Sequence, residues 1–524
     1  MKKVLRWLNY SAVVIPFAVE KFLLEPGHFI HQAKQRFLGY QAVRQRKFRP
    51  FDIFGSSKSF EGKSLYFLVE TGNYEEFESA YSKLPLVKKF LHSHKLFLVR
   101  TKRKQFDFKI HKGVERVACG REISLLYYVN NASPYTQSGY TVRTAALVNS
   151  LRGKVKALSV VSRLGYPLVI GKVPDSSKCA PYLVPLIPKI WPFGEQKKYD
   201  LAKKMLLEIC RKQDIAVIQT TSDFKNAALI SDVAYELGVP WIYEMRGEPH
   251  NTWLSKFPDS LAPEAKRSFY YRESQSRELE AAKKASAVIV LSKLSQENLV
   301  QSGVSESKVT IVPNAVDRHM KLDSSSAFAI RRKLGFQNKK IVGTISSLVS
   351  YEGLETLIRA VRFLDDDIQV VLVGDGEDRR RLFTLCKSLG VSNRVYFAGK
   401  QPANEIQGWY SIFDVFVVPR KDSTVTRNVT PIKILNALAL GTPVVCSDLP
   451  ALREVTGGFA MFVPPDSPSD LAVGIREAIK DPAALTAEKS WLDERTWEAN
   501  SRKLAMLYRE LTLSLIHISE PTRL

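Results

Sequence analysis

The chain has 524 residues, with 77 Lys and Arg against 53 Asp and Glu, and 45% of its residues are apolar. This length exceeds one ordinary core, so two or three globular domains are expected. The five cysteines are scattered without a CxxC pair, which argues against a disulfide framework or a zinc site and indicates a reducing compartment; they are Cys119, Cys179, Cys210, Cys386 and Cys446.

The positive charge is concentrated near the N-terminus. Residues 1–120 hold 23 basic and 10 acidic side chains. A basic surface of this kind can bind anionic lipid or nucleic acid. Apolar and aromatic residues interleave with the charges in residues 1–29, so a membrane surface ranks first. Nucleic acid ranks second and is not expected as a partner, because no recognised binding motif accompanies the charge.

The opening stretch predicts an interfacial anchor. Its longest uncharged run, Trp7 to Val19, is interrupted by polar residues and a proline, and about 20 apolar residues are needed to cross a bilayer. No convincing signal cleavage site follows. We expect a cytoplasmic protein, with peripheral attachment to the inner face of the plasma membrane as an open alternative. The candidate anchor aromatics are Trp7, Phe17, Phe22 and Phe29.

Residues 1–120 form a basic accessory region that lacks the regular alternation of the rest of the chain. The runs KSLYFLVE and HKLFLVRT read as strands, whereas NYEEFESAYSKL and LVKKFLHSH read as helices. This region is therefore expected to be separate from the α/β domains.

From about residue 121 to residue 315, apolar runs alternate with helical patterns. The predicted strands are ISLLYYVN, VKALSVVSR, IAVIQT, PWIYEM, SAVIVLS and KVTIVP. The predicted helices are TVRTAALVNSL, KNAALISDVAYELG and PEAKRSFYYRESQSRELEAAKKA. This alternation is typical of a doubly wound parallel sheet, which gives an N-terminal Rossmann-like domain.

A second α/β domain is predicted over residues 316–485. A loose stretch, AVDRHMKLDSSSAF, precedes its first strand, and its strands are KIVGTISS, DIQVVLVGDG, RVYFAGK, DVFVVP and PVVCSD. The helix Tyr351 to Leu364 carries one apolar face, formed by Leu354, Leu357, Ile358 and Val361. Two such domains would face each other across a cleft, with ligands at the carboxyl ends of the strands.

The C-terminal part divides into two segments. Residues 486–512 are predicted to form a helix that packs back on the N-terminal domain. Residues 513–524 resemble a translated sequencing adapter, so we treat them as a non-native tail without functional meaning.

The stretch TRNVTPIKILNALALGTPVVCSD contains a helix with an anion-binding start. Thr430 is expected to cap this helix, Pro431 to take its first position and Gly441 to end it. The free amides at the N-terminus and the charge of Lys433 suit a phosphate or diphosphate. An ordinary capped helix remains the alternative from this segment alone.

Several segments together resemble the GT-B nucleotide-sugar glycosyltransferases, specifically the retaining family 4. They are IVPNAVD, YEGLETLIRAVRFL, VVLVGDGEDRRRL, FDVFVVP and LNALALGTPVVCSDLPALREV, with NNASPYTQSGYTVRTAALVNSL and YEMRGEP in the first half. The resemblance covers residues 122–512. It implies an α/β, GT-B fold of two Rossmann-like, doubly wound domains facing a cleft, a nucleotide-diphosphate sugar donor, transfer with retention, and no metal or other cofactor.

The chain departs from the family pattern in its donor site. Most members have glutamates where this chain has Asn428 and Asn436, which implies weaker donor binding, because hydrogen bonds to charged groups are worth about 1.5–3 kcal/mol against roughly 1 kcal/mol for neutral ones. The usual diphosphate-binding Arg and Lys fall near Ser347 and Glu352, and neither is basic. The cations that remain are Arg420, Arg427 and Lys433.

The resemblance assigns the remaining site residues. The donor-binding set is Arg420, Asn428, Thr430, Asn436, Ser347, Gly374, Gly376 and Gly399, and the catalytic set is Lys433, Arg427, Arg246 and Glu248. Ser138, Gly139 and Tyr140 form a loop beside the acceptor, for which a plain strand-to-helix turn is the alternative. His250 receives no role, since a lone loop histidine is more often exposed than catalytic.

These observations favour a retaining glycosyltransferase that uses a glycan or lipid-linked acceptor in cell-envelope or polysaccharide biosynthesis. Lys433, Arg427 and the helix start would stabilise the departing diphosphate, which could itself accept the proton of the acceptor. The alternative is a degenerate, non-catalytic relative that acts as a binding or scaffold protein.

Overall fold

A computed structural model describes residues 10–24, 65–115, 122–175, 183–258 and 260–512. Trp7, Phe29 and the tail 513–524 lie outside these residues, as do Cys119 and Cys179. The other three cysteines, Cys210, Cys386 and Cys446, are buried free thiols. None of the helices in the described part of the chain has the length and apolar character to cross a membrane.

The regular secondary structure described in the N-terminal region is entirely helical, and residues 105–115 after its last helix are turns and irregular structure. Its helices are α1 (Ser11–Leu24), α2 (Leu65–Glu70), α3 (Tyr74–Ser82), α4 (Leu86–Leu91) and α5 (Ser93–Lys104). The helices predicted in NYEEFESAYSKL and LVKKFLHSH are confirmed as α3 and α4.

The two strands predicted in the N-terminal region are wrong, because KSLYFLVE forms α2 and HKLFLVRT lies within α5. Phe67 and Val69 of α2 pack with Phe77 of α3 and with Leu98 and Val99 of α5 in one cluster. A short apolar run that is buried on several sides has the same sequence pattern in a helix and in a strand.

Helix α1 is docked on the first α/β domain through a buried carboxylate. Glu20 is 2% exposed and accepts hydrogen bonds from Trp191 Nε1 at 2.8 Å and from the Gly194 amide at 3.2 Å. Lys198 forms an ion pair with it at 2.8 Å. Phe17, one of the predicted anchor aromatics, packs edge-on against Trp191. Part of the predicted membrane anchor therefore packs against the first α/β domain.

The first α/β domain contains a seven-stranded parallel sheet with the order β3-β2-β1-β4-β5-β6-β7. Its strands are β1 (Ser124–Val129), β2 (Ala157–Ser162), β3 (Leu183–Pro185), β4 (Val217–Thr221), β5 (Trp241–Glu244), β6 (Ala287–Val290) and β7 (Val309–Ile311). All six predicted strands are present. Both faces of this sheet are covered, which is why its strands read as continuous apolar runs.

The helices of this domain are α6 (Gly139–Leu151), α7 (Glu195–Lys212), α8 (Phe224–Leu237), α9 (Pro249–Leu254), α10 (Ala262–Arg267), α11 (Phe269–Lys284) and α12 (Lys293–Gln301). The prediction of a single helix over residues 263–285 is wrong in one respect, because the helix is interrupted at Ser268. Ser268 has extended backbone angles and its hydroxyl accepts from the Tyr271 amide, so it caps α11 and ends α10.

The second α/β domain has a six-stranded parallel sheet with the order β10-β9-β8-β11-β12-β13. Its strands are β8 (Lys340–Ile345), β9 (Ile368–Val373), β10 (Val395–Gly399), β11 (Val415–Val418), β12 (Val444–Ser447) and β13 (Met461–Val463). The five predicted strands are all present. Two parallel-sheet α/β domains confirm the predicted fold class.

The helices of the second domain are α13 (Ser324–Leu334), α14 (Leu354–Ala360), α15 (Arg379–Ser388), α16 (Ile406–Tyr410), α17 (Thr424–Asn428), α18 (Ile432–Ala439), α19 (Pro450–Thr456) and α20 (Pro468–Lys480). The loose stretch predicted up to Phe328 ends earlier, because Asp323 accepts from the Ser326 amide at 3.0 Å and starts α13. The apolar face predicted for Tyr351 to Leu364 is buried, although that segment is α14 flanked by two 3₁₀ turns.

After the short helix α21 (Lys489–Asp493), the chain returns to the first domain in α22 (Trp497–Thr512). Leu504 and Tyr508 of α22 belong to the same buried cluster as Leu147 of α6. The Tyr508 hydroxyl donates to Gln219 Oε1 at 2.6 Å in the centre of the first sheet. A buried hydrogen bond of this kind fixes the position of the helix.

Candidate functional site

A cavity of about 410 Å³ lies between the two α/β domains. The first domain contributes the loop after β5 together with parts of α11 and α12. The second domain contributes the segment between α17 and α18. Its lining includes Arg246, Glu248, His250, Glu278, Asn428 and Thr430. Four of these six residues belong to the site predicted from the sequence.

Three residues of this cavity have buried polar atoms without a partner. Among the described residues, 13 buried side-chain nitrogen and oxygen atoms lack a hydrogen bond, and Arg246 Nε, His250 Nδ1 and Thr430 Oγ1 are among them. Buried polar groups are nearly always hydrogen-bonded in folded proteins. Three unsatisfied atoms around one cavity therefore indicate a place for a polar ligand.

The start of α18 differs from the sequence prediction. Pro431 occupies the cap position, and the helix has no side-chain cap. Thr430, expected to be the cap, lies one residue too early for its hydroxyl to reach the free amides, and its carbonyl accepts from Asn314 Nδ2 at 2.9 Å. The predicted helix end is confirmed, since Gly441 follows it with a φ of 71°.

Lys433 lies in a buried cluster of three charges. Glu352 accepts from Arg420 Nη2 at 3.1 Å and from Arg420 Nε at 3.3 Å, and it also pairs with Lys433. Arg420 Nη1 donates to the Val429 carbonyl at 2.7 Å. Two cations and one anion leave a net charge of +1 beside the first turn of α18. Sequence reasoning identified both cations and missed Glu352 as their common partner.

Burial and pairing shift the pKa values of this cluster in opposite directions. Burial works to raise the pKa of Glu352, but Arg420 and Lys433 lower it to about 2. Burial lowers the pKa of Lys433 to about 8, against the favourable effect of Glu352. Glu352 is therefore ionised at neutral pH, while Lys433 is protonated at pH 7 and loses its charge above pH 8.

Arg427 does not join this cluster. Its guanidinium binds Asp422 with distances of 2.5 and 2.6 Å, and its side chain is 54% exposed. The neighbouring Asn428 turns toward the other domain, where Nδ2 lies 3.3 Å from each carboxylate oxygen of Glu248. Asn428 and Glu248, which were separate candidates from the sequence, thus meet across the cavity, whereas Arg427 faces solvent.

Asn436 and Ser347 lie away from the cavity lining. Asn436 forms a side-chain hydrogen bond with Tyr410, a buried residue of α16. Ser347 is exposed in the loop after β8, where its carbonyl accepts from Ser346 Oγ at 3.2 Å.

Among the three candidate glycines, Gly374 and Gly376 follow β9, and Gly399 is the last residue of the neighbouring β10. The Gly374 amide donates to the Gly399 carbonyl at 2.8 Å. A Cβ on Gly374 would lie 1.9 Å from the Ser346 carbonyl, and one on Gly376 would lie 2.2 Å from that of Leu348. These two glycines are therefore required for close backbone packing of the loops after β8 and β9.

The loop of Ser138, Gly139 and Tyr140 starts α6. Ser138 and Thr141 form a capping box, in which each side chain accepts from the other's backbone amide. A Cβ built on Gly139 would lie 3.9 Å from Ile432 Cγ2, so the N-termini of α6 and α18 face each other. The positive ends of two helices meet at this point.

Arg246 is held in a buried network of the first domain. Nη1 donates to the Tyr140 carbonyl and to Thr144 Oγ1, both at 2.8 Å, and Nη2 pairs with Glu244 at 3.1 Å. Glu244 also accepts from Arg143 Nε and from Gln219 Nε2, at 2.8 and 2.9 Å. Both terminal nitrogens of Arg246 are therefore engaged, and Nε is its guanidinium nitrogen without a hydrogen-bond partner.

Glu244 was not identified from the sequence. It is the last residue of β5, and it is fully buried. Burial works to raise its pKa, but Arg246 and Arg143 lower it to about 2. An acidic residue at the end of an otherwise apolar strand, two positions before an arginine, was the available signal.

His250 is buried, so the expectation of an exposed loop histidine is wrong. It is 6% exposed, its ring packs edge-on against Tyr271, and its Nδ1 has no partner. Burial lowers its pKa despite the nearby carboxylate of Glu248. Glu248 in turn accepts from Asn251 Nδ2 at 2.5 Å. A neutral histidine and the carboxyl group of Glu248 thus line the same wall.

Glu278 is a second cavity carboxyl group that sequence reasoning missed. It is 2% exposed, accepts from the Phe224 amide at 2.7 Å and hydrogen-bonds the Tyr243 hydroxyl. Burial raises its pKa to about 8. Glu278 is therefore mainly protonated at pH 7, where it is a neutral hydrogen-bonding group.

Glu278→Gln should change the pH dependence of stability. The folded chain keeps a proton on Glu278 that the unfolded chain releases between about pH 4.5 and 8, so wild-type stability falls as pH rises through this window. Glutamine does not titrate. We expect the variant to gain roughly 2–4 kcal/mol in unfolding free energy relative to wild type between pH 5 and 8.

Equilibrium urea denaturation across this pH range measures the effect. Glu297→Gln on the neighbouring α12 is the matched control, since the Glu297 side chain is 52% exposed. A variant and a wild type with the same pH slope would show that Glu278 is ionised in the folded protein.

Two family models match the chain. Residues 326–495 match the glycosyl transferases group 1 family, and residues 138–315 match a glycosyl transferase 4-like domain. Two solved structures share the architecture: sucrose-phosphate synthase of Thermosynechococcus elongatus, with a TM-score of 0.58 and 19% identity, and Anabaena HepE in complex with UDP, with 0.56 and 17%. Each comparison covers 74% of this chain and 99% of the other chain.

The fold and the inter-domain cavity define a GT-B protein. The chain belongs to the GT4-type glycosyltransferases. A D-inositol 3-phosphate glycosyltransferase of Corynebacterium jeikeium is 26% identical over 329 residues, which are 58% of this chain and 75% of that protein. An uncharacterized glycosyltransferase of Methanocaldococcus jannaschii is 27% identical over 236 residues, 42% of this chain and 59% of that protein.

Proposed function

We propose that this chain transfers a sugar, with retention of anomeric configuration, from a nucleotide-diphosphate sugar to a glycan or lipid-linked acceptor. The observation that carries the proposal is the cavity between the domains, where Arg246, His250 and Thr430 have unpartnered buried polar atoms. Sugar hydroxyls both donate and accept hydrogen bonds, so they can satisfy such atoms. The HepE neighbour was solved with UDP, which supports a nucleotide donor.

The diphosphate would lie at the start of α18. Lys433 carries a charge there, the N-terminus of α6 lies close by at Gly139, and the free amides of both helices favour an anion. Glu352 neutralises part of the positive charge, so Lys433, Arg420 and Glu352 together carry a net charge of +1. This reduced charge supports moderate rather than very tight donor binding.

The proposed step breaks the bond between the anomeric carbon and the diphosphate oxygen and forms a bond from the acceptor oxygen on the same face. Negative charge develops on the leaving oxygen, where Lys433 and the helix amides stabilise it. The acceptor proton passes to a phosphate oxygen of the leaving group. No separate general base is then required. Glu248, which binds Asn428 across the cavity, would orient sugar hydroxyls.

The second candidate function is that of a non-catalytic binding protein. It is favoured by the asparagines at residues 428 and 436 and by the engagement of both cluster cations with Glu352. The two functions can be distinguished by one product, the released nucleoside diphosphate, because a binding protein leaves the nucleotide-sugar intact.

A panel of nucleotide-sugars tests both functions. Thermal shift identifies the donor, since a ligand at a hundred times its dissociation constant adds about 2.7 kcal/mol of stability. The stabilising donor is then incubated with candidate acceptors, and release of the nucleoside diphosphate is followed. Proton NMR of the product gives the anomeric configuration. Binding without release across the panel would favour the second candidate, and an inverted product would contradict retention.

Chelation should leave transfer unchanged. No group of three or more His, Cys, Asp or Glu side chains is placed to hold a metal within the ranges that the structure describes. Lys433 and the helix N-termini can supply the electrostatic stabilisation that a metal supplies elsewhere. We expect equal initial rates with EDTA and with added Mg²⁺ or Mn²⁺. Loss of activity with EDTA and its recovery with either metal would contradict this expectation.

We propose that the protein is located in the cytoplasm, where nucleotide-sugars are available, and that it acts at the inner face of the membrane. The proposal rests on the basic N-terminal region. Attachment of the donor-loaded protein to inner-membrane fractions at low salt is the corresponding measurement.

A further inference from the structure

Helix α4 presents an unusual apolar face to solvent. Leu86, Val87, Phe90 and Leu91 are 84, 73, 81 and 61% exposed, and no residue of this helix is buried. Their spacing places them together on one side of the helix. Lys88 and Lys89 lie on the other side, and neither forms an ion pair within the described ranges. Apolar side chains this exposed mark an interaction site when they cluster.

The surrounding segment carries one sign of charge. Residues 83–104 contain eight Lys and Arg and no Asp or Glu. The last part of this segment is helix α5. Its Arg103 forms an ion pair within the protein, with Glu78. Lys88 and Lys89 are the cations of α4 itself, while Lys95 lies over the Tyr66 ring at 5.3 Å and Lys104 pairs with Asp107 at 3.5 Å. An apolar face bordered by lysines matches the interface of an anionic bilayer, with acyl chains at its centre and phosphates around it.

Helix α1 adds a second apolar surface next to the same segment. Ile15, Val19 and Leu23 are 62, 49 and 47% exposed and recur every four residues along one side of α1. The opposite side of α1 buries Leu24 with Leu98 of α5. In all, nine of the 21 exposed large apolar side chains of the described residues lie between residues 15 and 97.

We propose that the α4 face, formed by Leu86, Val87, Phe90 and Leu91 with Lys88 and Lys89, inserts into the interface of an anionic lipid membrane. Phe90 and Leu86 enter the region between headgroups and acyl chains, while the lysines contact lipid phosphates. This attachment does not depend on the chemistry proposed for the cavity, so each can fail without the other. It also differs from an anchor formed by the first residues of the chain.

Co-sedimentation of the full chain with vesicles tests the proposal. Vesicles of phosphatidylcholine alone are compared with vesicles that contain phosphatidylglycerol. Leu86→Ser/Phe90→Ser should weaken partitioning to anionic vesicles by at least about tenfold. Lys88→Glu/Lys89→Glu should weaken it by about 25-fold or more, since each lysine near the surface is worth about fivefold. Raising the salt concentration should weaken wild-type binding.

Matched controls come from α13 in the second domain. Phe328→Ser removes an apolar side chain that is 62% exposed, and Arg332→Glu/Lys333→Glu reverses two exposed charges. Both should bind vesicles like wild type. Circular dichroism confirms folding of every variant, and the exposure of the α4 face makes misfolding of its variants unexpected.

Three results would overturn the proposal. Unchanged vesicle binding in both α4 variants would place attachment elsewhere, or show that another part of the chain covers this face. Dissociation of a dimer by Leu86→Ser/Phe90→Ser, with vesicle binding intact, would assign the face to a second copy. Equal binding to neutral and anionic vesicles, with displacement of the protein by RNA, would assign the charge to nucleic acid.

Discussion

Lys433→Ala is expected to reduce sugar transfer by about 100- to 1,000-fold, the usual cost of removing one donor that stabilises a developing oxyanion. The ammonium lies in the first turn of α18, where its charge and the free amides act on the same anion. Its removal also leaves Glu352 with Arg420 as its one cationic partner, so the local charge falls from +1 to zero. The diphosphate then departs with only the helix amides to stabilise it.

The loss should appear mainly in kcat, because the stabilised charge develops during departure of the diphosphate. The wild-type rate should fall as pH rises above about 8, where Lys433 loses its proton. Lys421→Ala is the matched control: this lysine also pairs with a glutamate of the second domain, Glu355, and takes no part in the cluster of Glu352, Arg420 and Lys433. We expect less than about a twofold change in kcat for the control.

Asn436→Asp provides a second comparison, with activity expected within about tenfold of wild type, or roughly 1.4 kcal/mol. Asn436 hydrogen-bonds Tyr410, and an aspartate can accept from the same hydroxyl. Steady-state kinetics with folding checked by circular dichroism measure all three variants. A fully active Lys433→Ala would remove the phosphate site from α18.

The strands of both domains could be predicted from the sequence because strands buried on two faces leave continuous apolar runs. DIQVVLVGDG and SAVIVLS are examples, and both are strands. The same rule failed in the N-terminal region, where LYFLVE is a helix with three consecutive buried residues, Phe67, Leu68 and Val69. A short helix surrounded by other helices has no polar face by which periodicity could identify it.

The site was predictable in part, through residues whose type is unusual for their position. Lys433 and Arg420 were found because cations follow strands or start helices near the cleft. Glu352 was missed as their partner because it lies 68 and 81 residues away in the chain, and pairing over such distances depends on the fold. Glu278 and His250 were missed for a related reason, since their chemistry follows from burial, which a helix or loop sequence does not reveal.

Glu244→Gln should destabilise the first domain by about 3–5 kcal/mol, the cost of removing one partner from a buried ion pair. Glu244 neutralises Arg143 and Arg246, which are 2 and 4% exposed, and it has no access to solvent. Glutamine keeps the shape of the side chain and loses its charge. Two guanidinium groups then remain in the core without compensation, so the variant tests the charge and not the packing.

The folded-state pKa of Glu244 determines how the stability effect of this substitution changes with pH. The folded-state pKa of Glu244 is about 2, below its ordinary value of 4.5, so its stabilising contribution is complete above pH 4.5 and disappears as pH falls toward 2. Wild type and Glu244→Gln should therefore differ most at pH 6–8 and converge in acid. Urea denaturation at pH 7, 5, 4 and 3 measures the difference in unfolding free energy.

Glu122→Gln is the control for the loss of one carboxylate. Its side chain is 76% exposed and pairs with Lys156 at 3.3 Å, so its replacement should cost less than about 1 kcal/mol. If Glu244→Gln costs no more than this control at pH 7, the two arginines must be compensated by their other partners, the carbonyls of Val312, Pro313 and Tyr140. Arg246 would then not depend on Glu244 for its position beside the cavity.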